Sequence, residues 1–155
     1  DLHTAYRRQR QMCIRDSCVI DNNEVYVSDL KNKSISRLSP SGSVSPVFST
    51  DPLEPVGISQ TKDGDLLVTL VDNDSDLFKP NSDNRRLIRH MTSTGNVIHE
   101  YEYQEDGQIR LFILPRRVTQ NGNTDICVIN GTSITTSELV ILSFSGSLKL
   151  SLIHI

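Results

Sequence analysis

Short apolar runs separated by polar turns dominate this sequence, and they indicate β-strands. Residues 66–71 are apolar except for Thr69, as in a strand buried on both faces, and residues 86–91 alternate as a half-buried strand does. The Asp63-Gly64 pair before the first of these runs predicts a tight hairpin turn, because glycine tolerates a positive φ. Since no stretch shows helical periodicity, the pattern predicts an all-β fold.

The strand pattern occurs three times. Each copy has a polar turn, an apolar core strand, a second strand, a turn that closes on glycine and a third strand. The closing glycines Gly42, Gly95 and Gly146 are spaced by roughly 50 residues, a length typical of propeller blades. We therefore predict a partial β-propeller of about three blades, each a four-stranded antiparallel sheet. A β-sandwich is the structural alternative.

The repeat also predicts the blade boundaries and the register. The blades should cover about 18–50, 51–104 and 105–149, with Val27, Val68 and Cys127 at equivalent buried positions. The first blade should lack its innermost strand and the third its outermost strand. Such a half-ring leaves sheet faces and edges uncovered, so we expect it not to behave as a stable, closed monomer.

Both ends of the chain resemble translated sequencing adapter. Residues 7–17 resemble an adapter with its transposase end, and residues 150–155 resemble the reverse complement of the same end. We therefore interpret residues 1–17 and 150–155 as non-biological and residues 18–149 as the partial propeller. The terminal segments should then pack poorly, since they were not selected together with this fold.

Charge and cysteine content exclude several classes of protein. Four of the 16 basic and two of the 19 acidic residues lie in the terminal segments, which leaves a net charge of about −5. A non-specific nucleic-acid binder would show a basic stripe, which is absent. Cys18 and Cys127 are far apart and lack a Cys/His cluster, so we expect no zinc, no other cofactor and no disulfide framework. No apolar run is long enough to cross a bilayer, so no membrane partner is expected.

The repeat resembles the NHL-repeat β-propellers. Pro-x-Gly-apolar at Pro55, Asp-Gly at Asp63, and the Ser-Pro-x-Gly ending at Gly42 look like parts of that unit. The chain is most similar to the propellers of tripartite-motif (TRIM-NHL) proteins. The resemblance implies a cytoplasmic interaction module in a scaffold or ubiquitin-ligase-type protein. Arg117 stands where the pattern expects glycine, and residues 77–84 are an insertion.

Six charged residues are candidates for a binding site: Arg85, Arg86, Arg116, Arg117, Asp72 and Asp74. The two arginine pairs suit phosphate or acidic peptide, and the second pair follows Pro115 where propellers present ligand-facing loops. Asp72 and Asp74 belong to an acidic loop that does not have the glycine and glutamate positions of an EF-hand. His90 and His99 lack a nucleophile motif and are interpreted as ordinary strand residues.

These observations predict a non-catalytic propeller module rather than an enzyme. We expect a protein partner, and RNA is the less favoured alternative because of the negative charge. The alternative from another class is a lactonase-like propeller hydrolase with an axial divalent metal, although no metal-ligand set is recognisable in the sequence.

Overall fold

Three consecutive four-stranded antiparallel sheets make up the fold. The computed structural model describes residues 14–72 and 76–154. In this part of the chain, each sheet is a meander whose strands are neighbours in sequence order, and the only helical element is one 3-10 turn at Asp21–Asn23. The first sheet contains β1 (Ile14–Val19), β2 (Val25–Asp29), β3 (Ser34–Leu38) and β4 (Val44–Ser49). The second contains β5 (Glu54–Gln60), β6 (Leu66–Val71), β7 (Arg86–Met91) and β8 (Val97–Tyr101). The third contains β9 (Leu114–Gln120), β10 (Ile126–Gly131), β11 (Ser137–Leu142) and β12 (Leu148–His154).

The first strands of the sheets lie side by side. β1 contacts β5, and β5 contacts β9, so these three strands form the inner edge of the assembly. Strands further along each meander lie progressively further out, as in the blades of a propeller. The predicted all-β fold with about three four-stranded blades is therefore confirmed.

Glycines close the outer hairpins, as their spacing predicts. Gly42, Gly95 and Gly146 join the third and fourth strands of successive sheets, and all three have positive φ. At Gly95 the φ of +101° is combined with a close approach, since a Cβ would lie 2.8 Å from Cγ of Phe48 in the first sheet. Glycine therefore allows this turn to pack against the neighbouring sheet.

Strand register shows which residues are equivalent between sheets. Val68 pairs with Ile58, and Val128 pairs with Val118, in corresponding places of the second and third sheets. Val27 and Val68 are buried, with 2% and 0% exposure, as predicted. The prediction for Cys127 is wrong by one residue: Val128, with 0% exposure, occupies that position, and Cys127 is half-buried on the opposite face. The reason is the two-residue period of a strand, in which a shift of one residue changes the face.

The described residues form two core clusters, one on each side of the second sheet. The first cluster packs Tyr26 and Ile35 of the first sheet against Leu66 and Val68 of the second. The second cluster packs Leu67, Ile88 and Tyr101 of the second sheet against Val118, Ile126, Val128, Val140 and Leu142 of the third. Because β6 supplies both clusters from its alternate faces, all six of its residues are buried. This explains why five of its six residues are aliphatic.

Hydroxyl side chains connect the inner strands of neighbouring sheets. Thr69 accepts the N–H of Gly57 at 2.6 Å and donates to the carbonyl of Arg116 in the third sheet at 3.1 Å. Ser28 is at the equivalent position of the first sheet and donates to the carbonyl of Val56 at 3.2 Å. Both residues are fully buried. These bonds satisfy polar groups at the two sheet–sheet contacts.

The described parts of the adapter-like segments form strands. Residues 14–17 begin β1, and residues 150–154 make up most of β12. The prediction that the outer sheets lack these strands is therefore wrong, because a free strand edge can pair with any extended backbone regardless of its side chains. None of residues 14–17 and 150–152 is buried, so their side chains add little to the core. Residues 1–13 and 155 lie outside the described residues, and the adapter origin stays a prediction.

Candidate functional site

A pocket of about 400 Å³ lies where the inner strands begin. The starts of β1, β5 and β9 surround it, together with the end of β6 and part of the segment that follows. We call it the axial pocket, and its lining is Arg15, Asp16, Leu30, Glu54, Val56, Val71, Leu77, Leu114, Arg116 and Arg117. Aliphatic side chains and charges of both signs therefore face one space, as in many ligand sites.

Arg116 is held at this pocket by contacts on several sides. Its guanidinium lies over the ring of Phe78, 6.0 Å from the ring centroid. A Cβ on Gly131 would lie 3.0 Å from its Nε, so the glycine leaves room for the arginine side chain. Among the residues that the structure describes, Arg116 forms no ion pair with a carboxylate. A guanidinium that lines a pocket and has no ion pair among the described residues is suited to binding an anion.

Arg117 is the more exposed member of the pair. It lines the axial pocket, and its Nη1 lies 3.7 Å from Oδ1 of Asp16 on β1. Because the arginine is exposed, this ion pair contributes little to stability and leaves the side chain able to move. Glu54 supplies a negative charge at the start of β5. The structure thus brings the predicted pair Arg116 and Arg117 together at one pocket.

The other predicted arginine pair has two separate roles. Arg85 is exposed and donates to Glu102, with Nη2 2.7 Å from Oε2, which raises the pKa of its guanidinium. Arg86 is fully buried, and its Nη1 donates to the carbonyls of Leu77 and Ile113. Burial, reinforced by the charge of Arg110, lowers the pKa of the Arg86 guanidinium. Arg86 therefore connects the segment after β6 to the entry of β9 and does not face solvent.

The acidic loop is described only in part. The backbone N–H of Asp72 donates to the carbonyl of Arg85 at 2.9 Å, which continues the β6–β7 pairing by one step. The negative charge of the Asp72 carboxylate raises the pKa of the Arg86 guanidinium and so partly offsets the decrease caused by burial and by Arg110. Asp74 lies outside the described residues. Asp72 is not among the described residues that line the axial pocket.

Sequence reasoning did not find several residues of the site. Glu54 directly precedes Pro55, which opens the repeat unit. The position of this proline could therefore have indicated Glu54 as a residue of the inner strand. Leu77 and Phe78 come from the insertion after β6, whose path no periodicity predicts. Gly131 ends β10, and its role depends on the side chain of Arg116, which is distant in sequence.

A second cavity of about 450 Å³ lies further along the inner strands. Both described cysteines contribute to its lining, together with apolar residues such as Ile58 and Ile129. Burial is the main cause that raises the pKa of Cys18, to about 11, and it also raises that of Cys127. Both thiols are therefore protonated near neutral pH, when they are weak nucleophiles.

Among the described residues, the histidines and acidic residues form no larger constellation. His90 is buried in β7, where its Nε2 lies 2.9 Å from Oδ2 of Asp65 and its ring packs against Phe144. Within residues 14–72 and 76–154, no three His, Cys, Asp or Glu side chains are grouped so that they could hold a metal ion. The same ranges contain no helix with the length and hydrophobicity needed to cross a bilayer.

Comparison with known proteins gives matches only among solved structures. No protein-family description matches the sequence, and no curated protein does. A protein of unknown function from Bacteroides caccae matches with a TM-score of 0.55 and 17% identity, covering 90% of this chain and 45% of that one. A putative gluconolactonase matches with a TM-score of 0.57 and 15% identity, covering 92% of this chain and 48% of that one. The chain spans about half the length of each.

At these identities the likeness concerns the fold alone. Both matches extend over nearly the whole chain, so they include all three sheets and not one sheet in isolation. Together with the three meanders and their side-by-side inner strands, they show that the chain folds as a partial β-propeller of three blades.

Proposed function

We propose that this chain is part of a non-catalytic β-propeller scaffold whose axial pocket binds an acidic segment of a partner protein. The observation that carries the proposal is Arg116, whose guanidinium is fixed between Phe78 and Gly131 without a carboxylate partner among the described residues. Arg117 adds a second, more exposed cation to the lining of the same pocket. Two neighbouring guanidiniums favour a carboxylate-bearing ligand.

The apolar wall supports a peptide rather than a nucleic acid as the ligand. Val56, Leu77 and Leu114 line the pocket beside the arginines and offer a surface for an aliphatic side chain. Residues 18–149 have a net charge of about −5, which repels a polyphosphate with one charge on every nucleotide more than a peptide in which aliphatic residues separate the carboxylates. A segment that combines acidic and aliphatic residues therefore suits the pocket better than RNA.

Fluorescence anisotropy with a labelled peptide of alternating glutamate and leucine tests this proposal. The full chain should bind it, and Arg116→Gln should weaken binding at least tenfold, since one charge-assisted hydrogen bond contributes about 1.5–3 kcal/mol. Arg85→Gln is the matched control, because Arg85 is already paired with Glu102 away from the pocket. Equal effects of the two substitutions, or no binding of the peptide, would overturn the proposal.

The same preparation tests the alternatives. Tighter binding of a labelled oligouridine would favour RNA, and lactone hydrolysis that depends on an added divalent cation would favour the lactonase-like hydrolase. Association with a TRIM-like ubiquitin ligase and a cytoplasmic location are further parts of our proposal, supported by the resemblance of the repeat. A parent transcript without zinc-binding domains upstream of the propeller would contradict the ligase association.

A further inference from the structure

One arginine of the second sheet is fully buried while two of its donors are unpaired. Arg86 has 0% exposure, and its Nη1 donates to the carbonyls of Leu77 at 3.0 Å and Ile113 at 3.2 Å. Among the described residues, its Nε and Nη2 have no hydrogen-bond partner. Unpaired donors on a buried charge destabilise a fold strongly, so these two atoms need an acceptor.

Two neighbouring arginines show how the same two atoms are used elsewhere. Nε and Nη2 form one edge of the planar guanidinium and can bind one acceptor group together. In Arg85 they donate to the two carboxylate oxygens of Glu102, at 3.3 and 2.7 Å. In Arg89 both donate to one oxygen of Glu100, at 3.2 and 3.1 Å. A single-atom acceptor is therefore sufficient for the whole edge.

A second guanidinium adds positive charge near Arg86. Burial is the main cause that lowers the pKa of Arg86, and the charge of Arg110 lowers it further. Nη1 of Arg110 is also buried and has no hydrogen-bond partner among the described residues. Asp72 raises the pKa of Arg86, but this effect is smaller than the other two. Within the described part of the chain, neither arginine forms an ion pair, so the local positive charge is only partly compensated.

We propose that the Nε and Nη2 edge of Arg86 binds a small inorganic anion of the size of chloride. The edge is closed to solvent, which excludes a carboxylate or phosphate that belongs to a large ligand. The segment of residues 76–84 contacts both guanidiniums through the carbonyls of Leu77 and Asn81 and is largely exposed. A small displacement of this segment is enough to admit a single ion.

The anion site supports one wall of the axial pocket without being part of it. Arg86 is not among the described residues that line the pocket, but Leu77, whose carbonyl it binds, is one of them. Its other acceptor, Ile113, directly precedes the lining residue Leu114. An anion on the free edge stabilises the charged guanidinium and therefore both of these hydrogen bonds. This role does not depend on which ligand the axial pocket binds.

Urea unfolding of the full chain tests the proposal. Chloride replaces gluconate, which is too large for the edge, at constant ionic strength. An ion that binds only the folded state raises the midpoint, by about 1 M when its concentration is about a hundred times its Kd. Equal midpoints at every chloride concentration would overturn the proposal. A loss of stability on Asp74→Asn in both salts would then assign the counter-charge to that residue.

Substitutions identify the site within the chain. Arg86→Lys keeps a positive charge but removes the two-donor edge, so the dependence on chloride should disappear. Arg110→Gln removes the neighbouring charge and should raise the chloride concentration needed for half of the effect about tenfold. Arg85→Gln is the matched control, because its edge is already bound to Glu102, and it should behave like the parent chain. An unchanged chloride dependence in Arg86→Lys would overturn the proposal.

Anomalous scattering locates the ion without any substitution. Crystals of the full chain grown in sodium bromide should show a bromide peak within hydrogen-bond distance of Nε and Nη2 of Arg86. This measurement decides the matter if Arg86→Lys does not fold. Bromide at exposed side chains only would be an adventitious ion only, and it would overturn the proposal.

Discussion

The hydroxyl of Thr69 donates to the backbone carbonyl of Arg116 at 3.1 Å, across the boundary between the second and third sheets. The same oxygen accepts the N–H of Gly57 at 2.6 Å. One buried side chain thus fixes the inner strand of its own sheet against that of the next. It also holds the backbone carbonyl of Arg116, a residue that lines the axial pocket.

Replacing Thr69 with valine should destabilise the protein. Valine keeps the shape but leaves the Gly57 N–H and the Arg116 carbonyl without their partner, at a cost of about 1–3 kcal/mol. Urea unfolding measures the change. Thr119→Val is the control, because Thr119 is exposed on β9. This substitution should change the unfolding free energy of the protein by less than about 0.5 kcal/mol. A neutral Thr69→Val would mean that the connection between the sheets is not energetically important.

Gly57→Ala tests the same contact from the other strand. A Cβ at Gly57 would clash with the carbonyl oxygen of Arg116, so β5 or β9 must shift, and we expect a loss of about 2–4 kcal/mol. Gly122→Ala is the matched control because no atom lies within 4 Å of its Cβ position. Equal urea midpoints for the two variants would contradict the close approach of the strands.

Gly131→Ala should weaken ligand binding more than it weakens the fold. The added methyl group would lie 3.0 Å from Nε of Arg116 and push the guanidinium off its position over Phe78. Anisotropy with the glutamate–leucine peptide should show a several-fold lower affinity, about 1 kcal/mol or more. An unchanged affinity would show that the position of Arg116 does not matter for binding.

Tyr101 should make the stability of the fold depend on pH in the alkaline range. Burial raises the pKa of its hydroxyl to about 12, and the hydroxyl donates to the carbonyl of Phe144 at 2.7 Å. The unfolded chain loses this proton near pH 10, so the stabilisation is fully present below pH 10 and is lost as the pH rises toward 12. Tyr101→Phe should flatten this part of the profile relative to the parent chain. Comparing the two chains removes the contribution of Cys18, whose pKa is also raised.

Removing the adapter-like ends should destabilise the fold. Residues 14–17 and 150–154 complete the first and third sheets, and Asp16 accepts the N–H of Ile58 at 3.0 Å. A chain of residues 18–149 should therefore unfold at lower urea concentration and over a broader range than the full chain. A sharp, cooperative transition of a soluble monomer at an unchanged midpoint would show that residues 18–149 are complete without these strands.

The sequence by itself determined the strands, their turns and the repeat. Runs such as residues 66–71, the turn at Gly64 and the spacing of Gly42, Gly95 and Gly146 are local patterns. Local patterns follow from backbone conformation and from the two-residue period of a strand. They were sufficient to predict three four-stranded sheets and the positions of Val27 and Val68.

Only the tertiary structure decided the roles of the charged residues. Arg85 and Arg86 are neighbours in sequence, yet one is exposed and paired with Glu102 while the other is buried. Arg116 becomes a candidate ligand residue because Phe78 and Gly131, which belong to other segments, fix its position. The one-residue error at Cys127 has a similar origin, since pairing with β9 sets the register of β10. Burial and charge pairing depend on residues that meet only when the sheets pack, and no local pattern contains that information.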